Sequence, residues 1–240
     1  MFTAATAAVF TAALPAAASA QIIELGATST PLVAPSCPAG VSPANCKIVL
    51  TQVTALETIR DGIAYPTTVK KAGSIVAFTV GLSRLAADRA TARSDIHFLD
   101  QTYGGTTRAA ITVLRPTGKD GKKLRHWTVV GESPMFHLQP YLGQVVQFAL
   151  PAPLAVKPGD TVGLTTSTWA PVLSIQLPSS KFAYRQGRSS NCPNPPTTNQ
   201  AKAVNQTAAY KCNYAGTRVE YSATEITSPV AANPIHAPRR

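Results

Sequence analysis

The chain has 240 residues, a net charge of +11 at neutral pH, 45 % hydrophobic and 14 % charged residues, and four cysteines. A chain this long buries a core without help from a metal, and no segment beyond residue 20 carries the ~20 strongly apolar residues a membrane span needs. There is no phosphate-cradling glycine loop, dinucleotide fingerprint or nucleic-acid motif, so those function classes drop out.

Met1–Ala20 is uncharged and Ala-rich, with Val9, Phe10 and Leu14 in a short apolar run. It ends Ala18-Ser19-Ala20, the small residues a signal peptidase accepts, so 1–20 is expected to be a signal peptide and Gln21 the new N-terminus. The segment departs from the usual pattern in having no Lys or Arg before the apolar run. No cysteine follows the cleavage point, which argues against a lipid anchor. Removing 20 of 240 residues leaves 220, which suits one large all-β domain.

Residues 21–45 are rich in Pro, Ser, Thr and Ala and are expected to be an extended lead-in with a loop at Cys37 and Cys46. Strands are expected at 47–54 and 74–82, the second with Val76, Phe78 and Val80 alternating against Ile75, Ala77 and Thr79. Residues 83–94, rich in Ala and Arg with Ser83 as cap, are the one helix candidate, a short surface crossover. A strand at 96–99 follows, then a turn at Tyr103-Gly104-Gly105. Segments 109–115 and 124–131 read as a hairpin closed around Asp120-Gly121. Further strands are expected at 145–150, 161–166, 172–177 and 217–223, with Pro158-Gly159-Asp160 as a tight turn. Residues 186–209 read as a long polar loop, and 226–240 as a disordered Pro- and Ala-rich tail. Nine or ten short strands without a crossover helix predict an all-β fold: an antiparallel, jelly-roll-like two-sheet β-sandwich over 46–225, with one short surface helix.

Two segments, Tyr103 to Pro116 and Val156 to Leu164 with Thr168-Trp169-Ala170-Pro171 and a later Cys, resemble a group of uncharacterised exported proteins of actinobacteria. The resemblance spans roughly residues 47–223 and implies a β-sandwich and export. It carries over no functional residue.

An even number of cysteines in an exported chain predicts two disulfides. Of the three connectivities, sequence proximity favours Cys37–Cys46 and Cys192–Cys212. No Cys pair has zinc-ligand spacing and no His lies near a Cys, so no metal or cofactor is expected. Twenty-two Lys and Arg against eleven carboxylates bias the protein toward acidic polymers, although the charges form no run.

Asp95, His97 and Asp100 are the densest polar cluster; on a strand Asp95 and His97 share a face, as a base–orienter pair would. His126 and His137 lie near Glu132 and Ser133, but Ser133 lacks the Gly-x-Ser-x-Gly elbow. The carboxylates Asp95, Asp100, Glu132, Asp160 and Glu220 fall in different segments, so no glycosidase pair stands out. Asp160 has a structural use in its turn, and Glu220 alternates with Arg218 as an ion-pair candidate. Trp169, Tyr184, Arg185 and Arg188 are the candidate binding group: aromatic faces stack on sugar rings, and Arg holds carboxylate, sulfate or phosphate. The loop from Arg115 to Arg125, with Lys119, Lys122 and Lys123, is an accessory basic patch. The expectation is an exported, cell-envelope or anionic-glycan binding module without catalysis. A secreted polysaccharide hydrolase built around Asp95, His97 or Glu132, and a structural wall component, are the alternatives.

Overall fold

The computed structural model describes residues 19–42, 46–120, 123–188, 192 and 198–229. Most of the expected signal peptide, the end of the tail, and residues 121 and 122 of the basic hairpin loop therefore lie outside the described residues. Among the described residues, fifteen strands and one α-helix, besides a 3-10 turn at Gln139–Tyr141, follow in chain order: β1 (Ile22–Leu25), β2 (Leu50–Arg60), β3 (Ile63–Ala64), β4 (Gly73–Gly81), α1 (Arg89–Tyr103), β5 (Arg108–Asp120), β6 (Lys123–Glu132), β7 (Phe136–His137), β8 (Val145–Val156), β9 (Thr161–Ala170), β10 (Leu173–Ser174), β11 (Phe182–Gln186), β12 (Thr207–Ala209), β13 (Cys212–Ala215), β14 (Arg218–Val219) and β15 (Tyr221–Thr227).

The strands form the expected all-β, antiparallel sandwich. One sheet has the order β1-β15-β4-β8; the other runs β12-β6-β5-β9-β2-β11-β13, with β3 and β7 on its flanks. β10 and β14 form a separate two-strand ladder. β9 sits between β5 and β2, and β15 between β1 and β4, so neighbours in space are distant in sequence. The alternation read at 74–82 is interrupted: the register shifts between Ile75 and Ala77, so Ile75 joins Phe78 and Val80 of β4 in the core with Val53, Ile111, Val113, Leu164 and Tyr221. The outer face of the large sheet is covered in two places. Leu56, Leu114, Trp127, Val129 and Tyr210 form one small cluster; Val49, Leu85, Leu99 and Trp169 form the other, under α1.

The helix differs from expectation. Residues 83–88 are not helical; α1 begins at Arg89 behind Asp88, whose carboxylate accepts the amides of Ala90 and Thr91, and ends at Gly104, φ +79°. It absorbs the strand expected at 96–99. Ile96, Leu99 and Tyr103 fall three and four apart, a helical stripe that packs against Trp169, while Phe98 faces out. A four-residue apolar run reads equally well with either period.

The ends also differ. Residues 22–25 pair with β15 as an edge strand, and β15 continues to Thr227, so neither the lead-in nor the start of the tail is unstructured. The strand expected at 172–177 is reduced to the two residues of β10, whereas β11, β12 and β13 form in or beside the segment read as loop. Gly81 makes room for the lead-in: a Cβ there would lie 1.8 Å from the Val33 carbonyl oxygen. Both disulfides take the local pairing, Cys37–Cys46 and Cys192–Cys212. In the Pro158–Asp160 turn, Asp160 accepts the Lys157 amide at 2.9 Å and is gripped by Arg115 through two 2.8 Å bonds. No helix among the described residues is long and apolar enough to cross a membrane.

Candidate functional site

The four residues expected to bind ligand separate. Trp169 is 0 % exposed. Its ring lies among Val49, Leu85 and Leu99, and its Nε1 donates to Asp100 Oδ1 at 2.8 Å. This corrects its expected role as a platform, because a ring walled in on its strand offers no face to a sugar. Tyr184 of β11 and Arg188, two residues beyond the strand, meet through Gln186, whereas Arg185 is on the other face of the strand. Tyr184 is 1 % exposed but stacks on half-buried Tyr214, centroids 4.9 Å apart and planes 17° from parallel. Gln186 Nε2 donates to the Tyr184 hydroxyl at 3.1 Å, and Arg188 donates to both Gln186 Oε1 and the Tyr214 hydroxyl. Arg185 is half-buried and donates to Asn213 Oδ1 at 3.4 Å.

Asp95 and His97 do not share a face. On a helix, residues two apart point about 200° apart: Asp95 is buried and pairs with Lys47 at 2.9 Å, and His97 is exposed. Ser133 is committed to the backbone. Its Oγ accepts the Ile111 amide at 3.1 Å and donates to the Pro134 carbonyl at 2.9 Å. Glu132 is half-buried, and burial raises its pKa against the Thr112 hydroxyl that donates to it at 3.5 Å. Glu220 pairs with Arg218 of the neighbouring short strand at 3.2 Å. Among the described residues, no group of three or more His, Cys, Asp or Glu is placed to hold a metal.

The structure assembles a different site around Tyr184. Lys47, Ile48, Val49 and Thr51 form one side of a recess of about 260 Å³, Tyr103 closes its helix end, and Leu173, Ile175, Tyr184, Tyr214 and Thr217 line the rest. Each wall has a distinct support. Cys46, bridged to Cys37, immediately precedes Lys47. Cys212, bridged to Cys192, opens β13, which carries Tyr214 two residues on. Tyr103 is the last residue of α1, and its carbonyl accepts from Gln52 Nε2 at 3.4 Å. Gln52 has φ +46° and sits where the register of β2 against β9 shifts between Thr51 and Val53. Bulges of this kind redirect a side chain, and here the neighbour is Thr51.

Thr51 is 1 % exposed, and its hydroxyl has no hydrogen-bond partner. A buried hydroxyl left unmade costs about 1–3 kcal/mol. Around it the polar groups are committed: Lys47 to Asp95 and, at 5.7 Å, to the face of Phe98. Burial raises the pKa of Tyr103, Tyr184 and Tyr214, so all three phenols stay neutral at physiological pH and present O–H groups and ring surface. The recess therefore offers ring surface from the half-buried Tyr103 and Tyr214, with Tyr184 packed behind Tyr214, and one unmet hydroxyl in its wall.

A second polar constellation lies in the sandwich core. Glu57 and Arg60 of β2 face each other at 3.6 Å, and Arg60 donates to the carbonyls of Gly26 and Val219. Arg218 donates to the carbonyls of Thr30 and Pro31, and Ser174 donates to Glu220. Burial raises the Glu57 carboxyl to about 7, against Arg60, the Val219 amide and Arg218, which lower it. All four charged side chains are within 2 % of full burial, so this network ties the lead-in to β2 and β14 and reaches no solvent.

Neither a protein-family model, nor a curated protein, nor a solved structure matches this chain.

Proposed function

We propose that this protein is an exported glycan-binding β-sandwich and that the tyrosine-lined recess is its ligand site. The observation that carries this reading is the buried Thr51 hydroxyl, unpartnered among three neutral tyrosines in a concavity braced by both disulfides. Aromatic rings stack on the C–H faces of sugars, and neutral hydroxyls exchange hydrogen bonds with sugar hydroxyls. At about 260 Å³ the recess is smaller than the ~300–1,000 Å³ of pockets for drug-sized ligands, which suits one sugar ring or a chain end. The net charge of +11 adds a long-range attraction to acidic envelope polymers. Two disulfides and the leader ending Ala18-Ser19-Ala20 support the export half of the proposal.

The test is retention of the purified protein on isolated cell walls and on a panel of polysaccharides, at low and high salt. The expected result is saturable retention on one polymer that survives high salt and weakens about tenfold or more in Tyr214→Ala, with Trp127→Phe as a control outside the recess. Retention on every polyanion that vanishes with salt, equal in both variants, would overturn it.

A further inference from the structure

The start of the first strand carries a separate chemical arrangement. Gln21 lies one residue before β1, and its backbone is fixed to the end of β15 in both directions. Its amide donates to Thr227 Oγ1 at 2.9 Å, and its carbonyl accepts the Thr227 amide at 2.9 Å. Its side-chain Oε1 accepts from Lys71 Nζ at 2.7 Å. Lys71 in turn lies within the field of Glu225, a buried carboxylate two residues before Thr227 whose oxygens have no hydrogen-bond partner. A cation is thus held against the side-chain carbonyl oxygen that would carry negative charge if an N-terminal glutamine cyclised.

We propose that Gln21, once it is the first residue of the chain, cyclises to pyroglutamate, with Lys71 activating its side-chain amide. The proposal rests on removal of residues 1–20 and is independent of glycan binding. The new α-amine has an ordinary pKa of about 7.7–8.0, so a useful fraction is neutral and nucleophilic near neutral pH. Its nitrogen attacks Cδ of its own side chain, forming the ring C–N bond, and the displaced electron pair moves onto Oε1. The Lys71 ammonium stabilises that developing oxyanion. Collapse of the intermediate restores the carbonyl and breaks the bond from Cδ to the side-chain nitrogen, which takes a proton from the attacking nitrogen and leaves as ammonia. The chain loses one ammonia and one terminal amine, and no oxidant or cofactor takes part. The product is a neutral lactam that begins β1 and leaves an aminopeptidase no free terminus.

The experiment uses the folded full chain with residues 15–20 replaced by a protease site that leaves Gln21 as the new terminus. After cleavage, intact mass and terminal amine labelling are followed with time. The expected result is a mass lower by one ammonia with parallel loss of labelling. The rate should fall about tenfold in Lys71→Ala, a modest factor because both side chains are exposed and water replaces part of the ammonium. Lys71→Arg should restore most of it, a rescue that a role in folding would not produce. Equal rates in wild type and Lys71→Ala, or a folded chain that cyclises no faster than the free peptide Gln-Ile-Ile-Glu-Leu, would overturn the role of Lys71. The N-terminal peptide of the protein exported by its own cell supplies the other arm: a pyroglutamyl Gln21 supports the proposal, and a chain beginning elsewhere overturns it for the natural protein.

Discussion

Between the two sheets, Glu57, Arg60, Arg218 and Glu220 are all buried, and each charge faces an opposite one or a ring of backbone carbonyls. Thr51, which lines the recess, is just as deeply buried, yet its hydroxyl bonds to nothing. The inter-sheet charges are thus paired with one another or with carbonyls, whereas the Thr51 hydroxyl, like the Glu225 carboxylate beyond the network, makes no hydrogen bond. Completed polar networks fix structure; under the proposed function the unmet hydroxyl at the recess is completed by the ligand.

This contrast is broken most severely at Arg60. Arg60→Ala should destabilise by about 3–5 kcal/mol, because it strands Glu57 without its counter-charge and releases the Gly26 and Val219 carbonyls. Urea unfolding checks this, and no matching loss should follow Arg185→Ala, at the one half-buried residue of β11.

Acid–base behaviour sharpens the same point. The folded Glu57 carboxyl titrates near 7 and its ordinary value is 4.5, so between these the folded state holds the proton more tightly than the unfolded one. This group's contribution to stability is complete below 4.5 and is lost as pH rises through 7. Glu220 and Glu225, also raised by burial, act in the same direction. Denaturation midpoints should fall across that window, and Glu57→Gln should flatten the slope.

A smaller effect is expected at Trp169. Trp169→Phe keeps most of the packing under α1 but leaves Asp100 without its 2.8 Å donor, costing about 1–3 kcal/mol of stability. Because the ring does not line the recess, affinity for a retained polysaccharide should stay unchanged once folding is confirmed.

These regions differ in how far the sequence revealed them. β4, the β5–β6 hairpin and β9 were legible because their apolar, β-branched runs are bounded by turn residues, Asp120-Gly121 between β5 and β6 and Gly159-Asp160 before Thr161. α1 was misplaced because Ile96 to Leu99 is too short to reveal its period; Asp88 was the better cap signal. Trp169 was misleading because a tryptophan beside a bend reads the same whether its ring packs inward or outward. The recess was illegible as a whole, since Lys47, Tyr103, Leu173, Tyr184 and Tyr214 come from distant segments brought together by sheet order. Tyr184 alone of the expected binding residues lines it, and the cysteines gave a second hint, since Cys46 and Cys212 sit beside residues they brace. The buried Glu57–Arg60 pair carried no signal, because i, i+3 charges on a strand resemble a solvated face.

The most direct test of the recess is the paired measurement of stability and glycan affinity in Thr51→Val, which replaces the hydroxyl by a methyl of similar size. The structure predicts opposite signs: a chain about 1 kcal/mol more stable, because the unmet hydroxyl is gone, and an affinity for the retained polysaccharide about fivefold weaker or more. A variant that gains stability and binds as tightly as wild type would show that the hydroxyl meets no ligand and would contradict the assignment of the recess as the binding site.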